Sequence, residues 1–358
     1  MKTVVFTGAG AAKADGLPLQ TELFHEFFAR VAVQTSRTQL ANDVASFFET
    51  VFGRDPRVAQ TSDLPTFEEA LGVLELAVNR EETVLGVASE QTVTGGGLRL
   101  ARRQLILALA ATVARESMSS TTYHSKLVAA LRDRGLLQHV AFITTNYDTL
   151  LDHAIEFEGV ASGRGTGSLV DYGLRDVLTA DAGAHAETRT FPCYKIHGSL
   201  NWLYCSACDV LDITYASDGV LRLVDSPQAA KCTVCETVRT PVIVPPSYYK
   251  SMSNLYLALV WNRAFQALRQ AEHLVFCGYS FPDADMHVKY LVKRAQLNRE
   301  PAAQPLGVTV VNHYPGKPQE HADAERHRFE RFLGGVDVNY SRYSFQDFAA
   351  NPETVLTP

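Results

Sequence analysis

Residues 191–208 concentrate the chemistry of this chain: Phe-Pro-Cys-Tyr-Lys-Ile-His-Gly-Ser-Leu-Asn-Trp-Leu-Tyr-Cys-Ser-Ala-Cys. A strand-like run ends in His197-Gly198-Ser199, and Cys205 follows eight residues after the histidine. An imidazole with an ordinary pKa of about 6.5 can take up or release a proton at neutral pH. A glycine directly after it allows a tight turn that leaves the ring facing a cleft; a core histidine is the competing reading. The cysteines are more specific. Cys205-x-x-Cys208 and Cys232-x-x-Cys235, 23 residues apart, make two knuckles whose four thiolates match a closed tetrahedral zinc site. Such a site has no open coordination position, so its zinc is structural and does no chemistry. Cys193 and Cys277 lie in apolar strand-like runs and read as core residues.

Four other segments carry polar groups at the ends of apolar runs. Gly8-Ala9-Gly10-Ala11-Ala12-Lys13 follows a strand-like stretch and precedes Gly16-Leu17-Pro18. Glycines there would let a backbone approach a phosphate, or would simply make a strand–helix turn. Lys13 in the sixth position, where a glycine belongs, excludes the dehydrogenase fingerprint. Thr144-Thr145-Asn146-Tyr147-Asp148 ends another apolar run. Asn146 can orient a water or a ribose hydroxyl, and Asp148 can accept from a carboxamide or stabilise positive charge. Either could instead cap a helix over 149–158. Gly278-Tyr279-Ser280 and Asn312 close two further strand-like runs, where ribose binding and ordinary turn chemistry compete.

The elements that must position these groups alternate. Residues 3–7, 140–144, 273–277 and 307–311 read as buried strands, the first followed by a tight turn at Gly8–Gly10. Helical spacing marks 20–31, 66–79, about 98–116, 122–133, 253–271 and 285–297. Thr66-Phe67-Glu68-Glu69 is a capping box, with Phe67, Ala70, Leu71, Leu74 and Val78 on one face. The expected fold is α/β: a Rossmann-like parallel sheet with helices on both faces. A helical subdomain at about 20–130 and a small zinc-ribbon module at about 200–245 are inserted in a domain spanning 1–315. The remainder, 316–358, is expected to pack on that domain as a helix and closing strand.

Bulk properties narrow the classes. The 358 residues carry a net charge of −6 and are 46% hydrophobic and 20% charged. That charge gives no reason to expect nucleic acid as a partner; Arg99, Arg102 and Arg103 read as a solvated helix face. No apolar run approaches the ~20 residues of a membrane span. The short apolar start, broken at Gly8, is not expected to act as a signal peptide. Cysteines in metal-like spacing point to a reducing cytoplasm.

Taken in order from residue 4 to residue 312, these motifs resemble the sirtuin family of NAD-consuming enzymes. The resemblance implies NAD as substrate, with Gly8, Ala9, Gly10, Leu17 and Pro18 as its phosphate loop. It implies His124, Leu127, Thr145, Asn146 and Asp148 around the nicotinamide and its ribose. It also implies His197 as the catalytic histidine, Gly278, Ser280 and Asn312 on the adenosine half, and the four cysteines on zinc. The departures also matter. Leu19-Gln20 stands where deacylases of the family carry Phe-Arg, and Thr145 where they carry glutamine. Val242-Ile243-Val244-Pro245-Pro246-Ser247 replaces the segment that pairs with an acyl-lysine peptide. Two prolines remove backbone donors and oppose strand addition. In this the chain is similar to the bacterial sirtuin-like NAD hydrolases of antiphage defence, which implies NAD glycohydrolase activity in a homo-oligomer, with a partner protein as possible activator. A deacylase or ADP-ribosyltransferase, and a sensor of NAD or ADP-ribose, are the alternatives.

Overall fold

The computed structural model describes residues 2–82, 96–113, 121–161, 169–174, 190–214, 219–221, 223, 231–244, 254–283, 285–301 and 303–356. The chain divides into two compact units. The first comprises Met1–Gly16, Met118–Gly198 and Ser251–Pro358; the second comprises Leu17–Ser117 and Ser199–Lys250.

The first unit is built on a seven-stranded sheet. Its strands are β1 (Thr3–Thr7), β2 (Val140–Thr144), β3 (Val170–Asp171), β4 (Phe191–Lys195), β8 (His273–Cys277), β9 (Gly307–Val311) and β10 (Val338–Tyr340). Their spatial order is β10-β9-β8-β1-β2-β4-β3, and every adjacent pair is parallel. Helices lie on both faces. All five residues of β1 and of β8 are therefore buried, as a sheet covered on both sides requires. From β1 at the centre the chain passes to β2, then to the edge strand β3, comes back to β4 between those two, and crosses to the other side of β1 with β8, β9 and β10. The direction of winding thus reverses beside β1, the place where open α/β sheets bind ligands.

The tail supplies the edge strand β10 and the helix Gln319–Leu333, whose Phe329 stacks on Phe281 at 4.7 Å. The helix Phe345–Ala350 starts at a Ser344/Asp347 capping box and packs on α6 (Tyr123–Asp133). Helix α6 is itself capped by Thr122, whose hydroxyl accepts from the Ser125 amide at 3.0 Å. It stops at Gly135, with φ +68°.

In the second unit, α2 (Leu23–Glu26) runs into a π-helical turn, Phe27–Val31. Helices α3 (Thr38–Phe52) and α4 (Phe67–Asn79) both pack on α5 (Gly96–Val113). The capping box at Thr66 and Glu69 forms. The buried stripe of α4 ends at Ala77, and Val78, expected on that face, is half-buried. A three-stranded sheet of β5 (Gly198–Cys205), β6 (Val210–Ile213) and β7 (Thr240–Ile243) has the order β6-β5-β7, with β5 and β6 antiparallel. Among the described residues no helix is long and apolar enough to cross a membrane.

Gly8–Gly10 does not make the separate turn expected. Helix α1 (Ala9–Ala14) begins at once, with Gly8 as its extended N-cap. The cause is a backbone contact with the turn after β8. The Gly8 amide donates to the Cys277 carbonyl (3.0 Å), and the Gly10 amide donates to the Gly278 carbonyl (2.8 Å). Gly278 sits at φ +60°, and a Cβ on it would fall 2.0 Å from the Ala11 nitrogen. Gly278→Ala should therefore cost about 3 kcal/mol or more, from left-handed strain plus displaced backbone. Gly16→Ala, at φ +89° with open space around it, should cost only about 1–2 kcal/mol. Urea midpoints at unchanged slope would measure both.

Candidate active site and metal centre

Parallel register makes the strands of the first unit end level. Thr7 lies opposite Thr144 and Cys277, Thr144 opposite Lys195, and Cys277 opposite Val311. The next residues along this row are Gly8, Thr145, Ile196, Gly278 and Asn312. Segments up to 300 positions apart in the chain thus meet at one edge of the sheet, the carboxyl edge, where such sheets bind ligands.

His197 is one residue beyond that row and only 2% exposed. Both backbone groups of Ile196 are engaged. Its amide donates to the Thr144 carbonyl (3.1 Å), and its carbonyl accepts from the Trp261 indole (2.6 Å). Gly198, at φ +83°, then turns the chain. The His197 ring lies 6.3 Å from that of Tyr147, inclined at 32°. The histidine at the end of β4 and the turn after β2 therefore come together.

In that turn the Thr145 amide donates to the Thr7 carbonyl (3.2 Å). The Asn146 amide donates to the Thr144 hydroxyl and its side-chain nitrogen to the Gly8 carbonyl, both at 3.0 Å. Buried Asp148 accepts from the Leu150 amide (3.0 Å) and so opens α7 (Leu150–Ala161). Of the two candidates for capping this helix, Asp148 takes the role. A carboxylate is favoured there by the helix dipole. Asn146 faces the β1 end instead.

The other positions chosen from the sequence are distributed less evenly. Gly8 and Gly10 serve backbone packing, with both amides already donated. Ala9 is the first residue of α1. Ser280 is exposed, and its carbonyl accepts from Arg328 at 3.1 and 3.2 Å. The Asn312 side chain donates to Glu325, and its carbonyl accepts from Lys317 (2.8 Å). Leu17 and Pro18 belong to the second unit. Pro245, Pro246 and Ser247 lie outside the described residues.

Sequence reasoning missed three buried polar clusters in the first unit. Lys195, 1% exposed, donates to the Asp148 carbonyl and pairs with Asp152 at 3.0 Å; Asp152 in turn accepts from the Tyr172 hydroxyl. Asp15, at the end of α1, accepts from the Tyr123 amide and lies 2.6 Å from the His124 ring, which packs on Phe345. The ring expected in the nicotinamide pocket is thus committed to Asp15. Lys317 and Glu325 pair at 2.5 Å and share Tyr340. Burial first, and then the Glu325 charge, holds the Tyr340 phenol far above its usual range. A lysine inside the apolar run Phe191–Ile196 was the one local signal available.

In the second unit the four cysteine sulfurs lie within 4.8 Å of one another. Zinc–sulfur bonds of about 2.3 Å place tetrahedral sulfurs about 3.8 Å apart, so the cluster fits one ion after little movement. Cys205 and Cys232 are buried and Cys235 is exposed. Hydrogen bonds from Thr237 pull the Cys235 thiol down to about 6, towards the thiolate that a metal needs. When bound, zinc would hold the knuckles of this small sheet together. Purified protein should contain one zinc per chain. Cys232→Ser should lose it, and a strong chelator should lower the melting temperature of the wild type but not of the variant, as read by metal analysis and calorimetry.

No curated protein matches the chain. A Sir2 structure with the inhibitor EX-527, 2'-O-acetyl-ADP-ribose and a deacetylated p53 peptide is 15% identical, covering 99% of this chain and 93% of that one at a TM-score of 0.39. A Sir2–p53 peptide–NAD+ structure is 14% identical, covering 99% and 92% at 0.40. The model of the SIR2-like domain family matches residues 140–332, which include Asn146, His197, all four zinc-type cysteines, Gly278 and Asn312. With that match over more than half of its length, the chain belongs to the SIR2-like domain family.

Proposed function

We propose that this protein is an NAD glycohydrolase, cleaving NAD to nicotinamide and ADP-ribose. The observation that carries the reading is the shared strand-end row, which brings the Asn146–Asp148 turn and His197 together on adjacent strands. Family membership and the NAD and ADP-ribose compounds named with the Sir2 structures support NAD as substrate. The Pro245-Pro246 pair favours water over an acyl-lysine peptide as acceptor.

In this mechanism NAD lies across the carboxyl edge of the sheet. Asn146 orients the nicotinamide ribose, and Asp148 stabilises positive charge as the bond from nicotinamide nitrogen to ribose C1' breaks. The electron pair leaves with nicotinamide, giving an oxocarbenium-like state. Water then bonds to C1' while His197 takes its proton. Thr145, Gly278, Ser280 and Asn312 frame the rest of the cofactor. The donors for its pyrophosphate are groups other than the Gly8 and Gly10 amides. A cytoplasmic homo-oligomer acting in antiphage defence, switched on by a partner protein, is the setting this reading implies.

The test is incubation with NAD, with and without an acetyl-lysine peptide, followed by product identification. Nicotinamide and ADP-ribose are expected without peptide. His197→Ala and Asn146→Ala should each lower turnover by about 100-fold or more at a melting temperature close to wild type. O-acyl-ADP-ribose as the product, or NAD binding without nicotinamide release, would overturn the reading.

A further inference from the structure

We infer that Lys195 is a positioning residue: its buried ammonium ties the end of β4, which bears His197, to the turn after β2, which bears Asn146 and Asp148. This rests on reading His197 and Asn146 as the groups that act on NAD. The backbone ladder between β2 and β4 has its last rung at Thr144 and Lys195. Beyond it the two chains diverge into separate turns, and the Lys195 side chain bridges them by donating to the Asp148 carbonyl. Asp152, one helical turn further along α7, holds the ammonium at 3.0 Å and is itself held by the Tyr172 hydroxyl beyond the end of β3. The link therefore joins three consecutive strand ends, from β2 through β4 to β3.

The residue type is informative. Burial penalises the ammonium, but the Asp152 and Asp148 carboxylates outweigh it, and the Lys195 pKa stands above the ordinary lysine value. The group is thus charged throughout the neutral range. A leucine or methionine would fill the same interior volume without desolvating two ions. Neither could donate to the Asp148 carbonyl, and that donation ties down the turn whose Tyr147 lies beside His197 and whose Asn146 bonds the Gly8 carbonyl.

Lys195→Met alone would strand the Asp152 charge and confuse stability with position. The informative variant is the pair Lys195→Met with Asp152→Asn, which removes both charges at similar volume and leaves the Tyr172 hydroxyl an acceptor. Melting temperature close to wild type is expected, with kcat for NAD cleavage lowered about 100-fold and KM within about threefold. Amide hydrogen exchange at 145–150 and 196–198 should quicken about tenfold while the centre of the sheet is unchanged. A folded paired variant with kcat within about threefold of wild type would reduce the pair to a structural contact and overturn the proposal. If the wild type releases no nicotinamide, the reading of the function fails separately. The exchange measurement then decides on its own, and unchanged protection at both turns refutes the tie. If the paired variant does not fold, Asp152→Asn alone replaces it. About tenfold lower kcat at constant KM supports the proposal, and unaltered kcat refutes it.

Discussion

Where β1 and β8 run out, backbone touches backbone, with the Tyr279 side chain packed against Gly8. Gly8 and Gly10 on one side and Gly278 on the other leave less room than a single methyl group needs at each position. Two hydrogen bonds cross this contact, and a third runs from the Gly278 amide to the Val311 carbonyl at 3.1 Å. The two halves of the sheet are thereby joined at the point where the winding direction reverses. The contact sits where the parallel register brings the strand ends level, at the edge that carries Asn146, His197 and Asn312. It also means that these glycines serve the protein's own backbone, whatever they offer a ligand.

Behind the row stand buried ions. Lys195 with Asp152 lies under the β2 and β4 ends; Lys317 with Glu325 and Tyr340 lies under β9 and β10. Desolvating such groups costs several kcal/mol each, and removing one partner typically costs about 3–5 kcal/mol. Apolar contacts would hold the layers together at lower cost. Directed pairs instead set the azimuth of each turn, a property that dispersion forces among leucines specify poorly. Phe281 shows the complementary device: a non-glycine residue at φ +54°, kept in a strained conformation by rings of Phe276, Phe329 and Phe332 around it.

Much of this was legible in the residue order. Strands 3–7, 140–144, 273–277 and 307–311 are apolar runs bounded by turn residues, and each forms with those bounds. The Thr66 box is a local pattern, so local reading suffices. His197 and the cysteines announce themselves by type and spacing. The buried ion pairs do not: Lys195 and Asp152 are 43 positions apart, and no periodicity connects them. The glycines at 8, 10 and 278 were visible as residues that permit close approach. Whether the thing approached is a phosphate or another turn is a three-dimensional question, and the backbone supplies the answer. Likewise Asn146 and Asp148 are equally good caps on paper. Their separation into two tasks follows from which one faces Gly8 and which one lies over the first turn of α7.

The central place of β1 has a consequence for how the molecule is made. Thr3 pairs with Val140 on one side and with His273 on the other. β1 therefore pairs on both sides only after the chain as far as β8 has been made. Contacts of such separation are slow to close, since the entropy of the intervening loop is lost before they form. The row of strand ends is completed only when residues near 312 are available. A chain cut short of residue 312 can carry His197 and Asn146 and still lack part of the edge on which they stand.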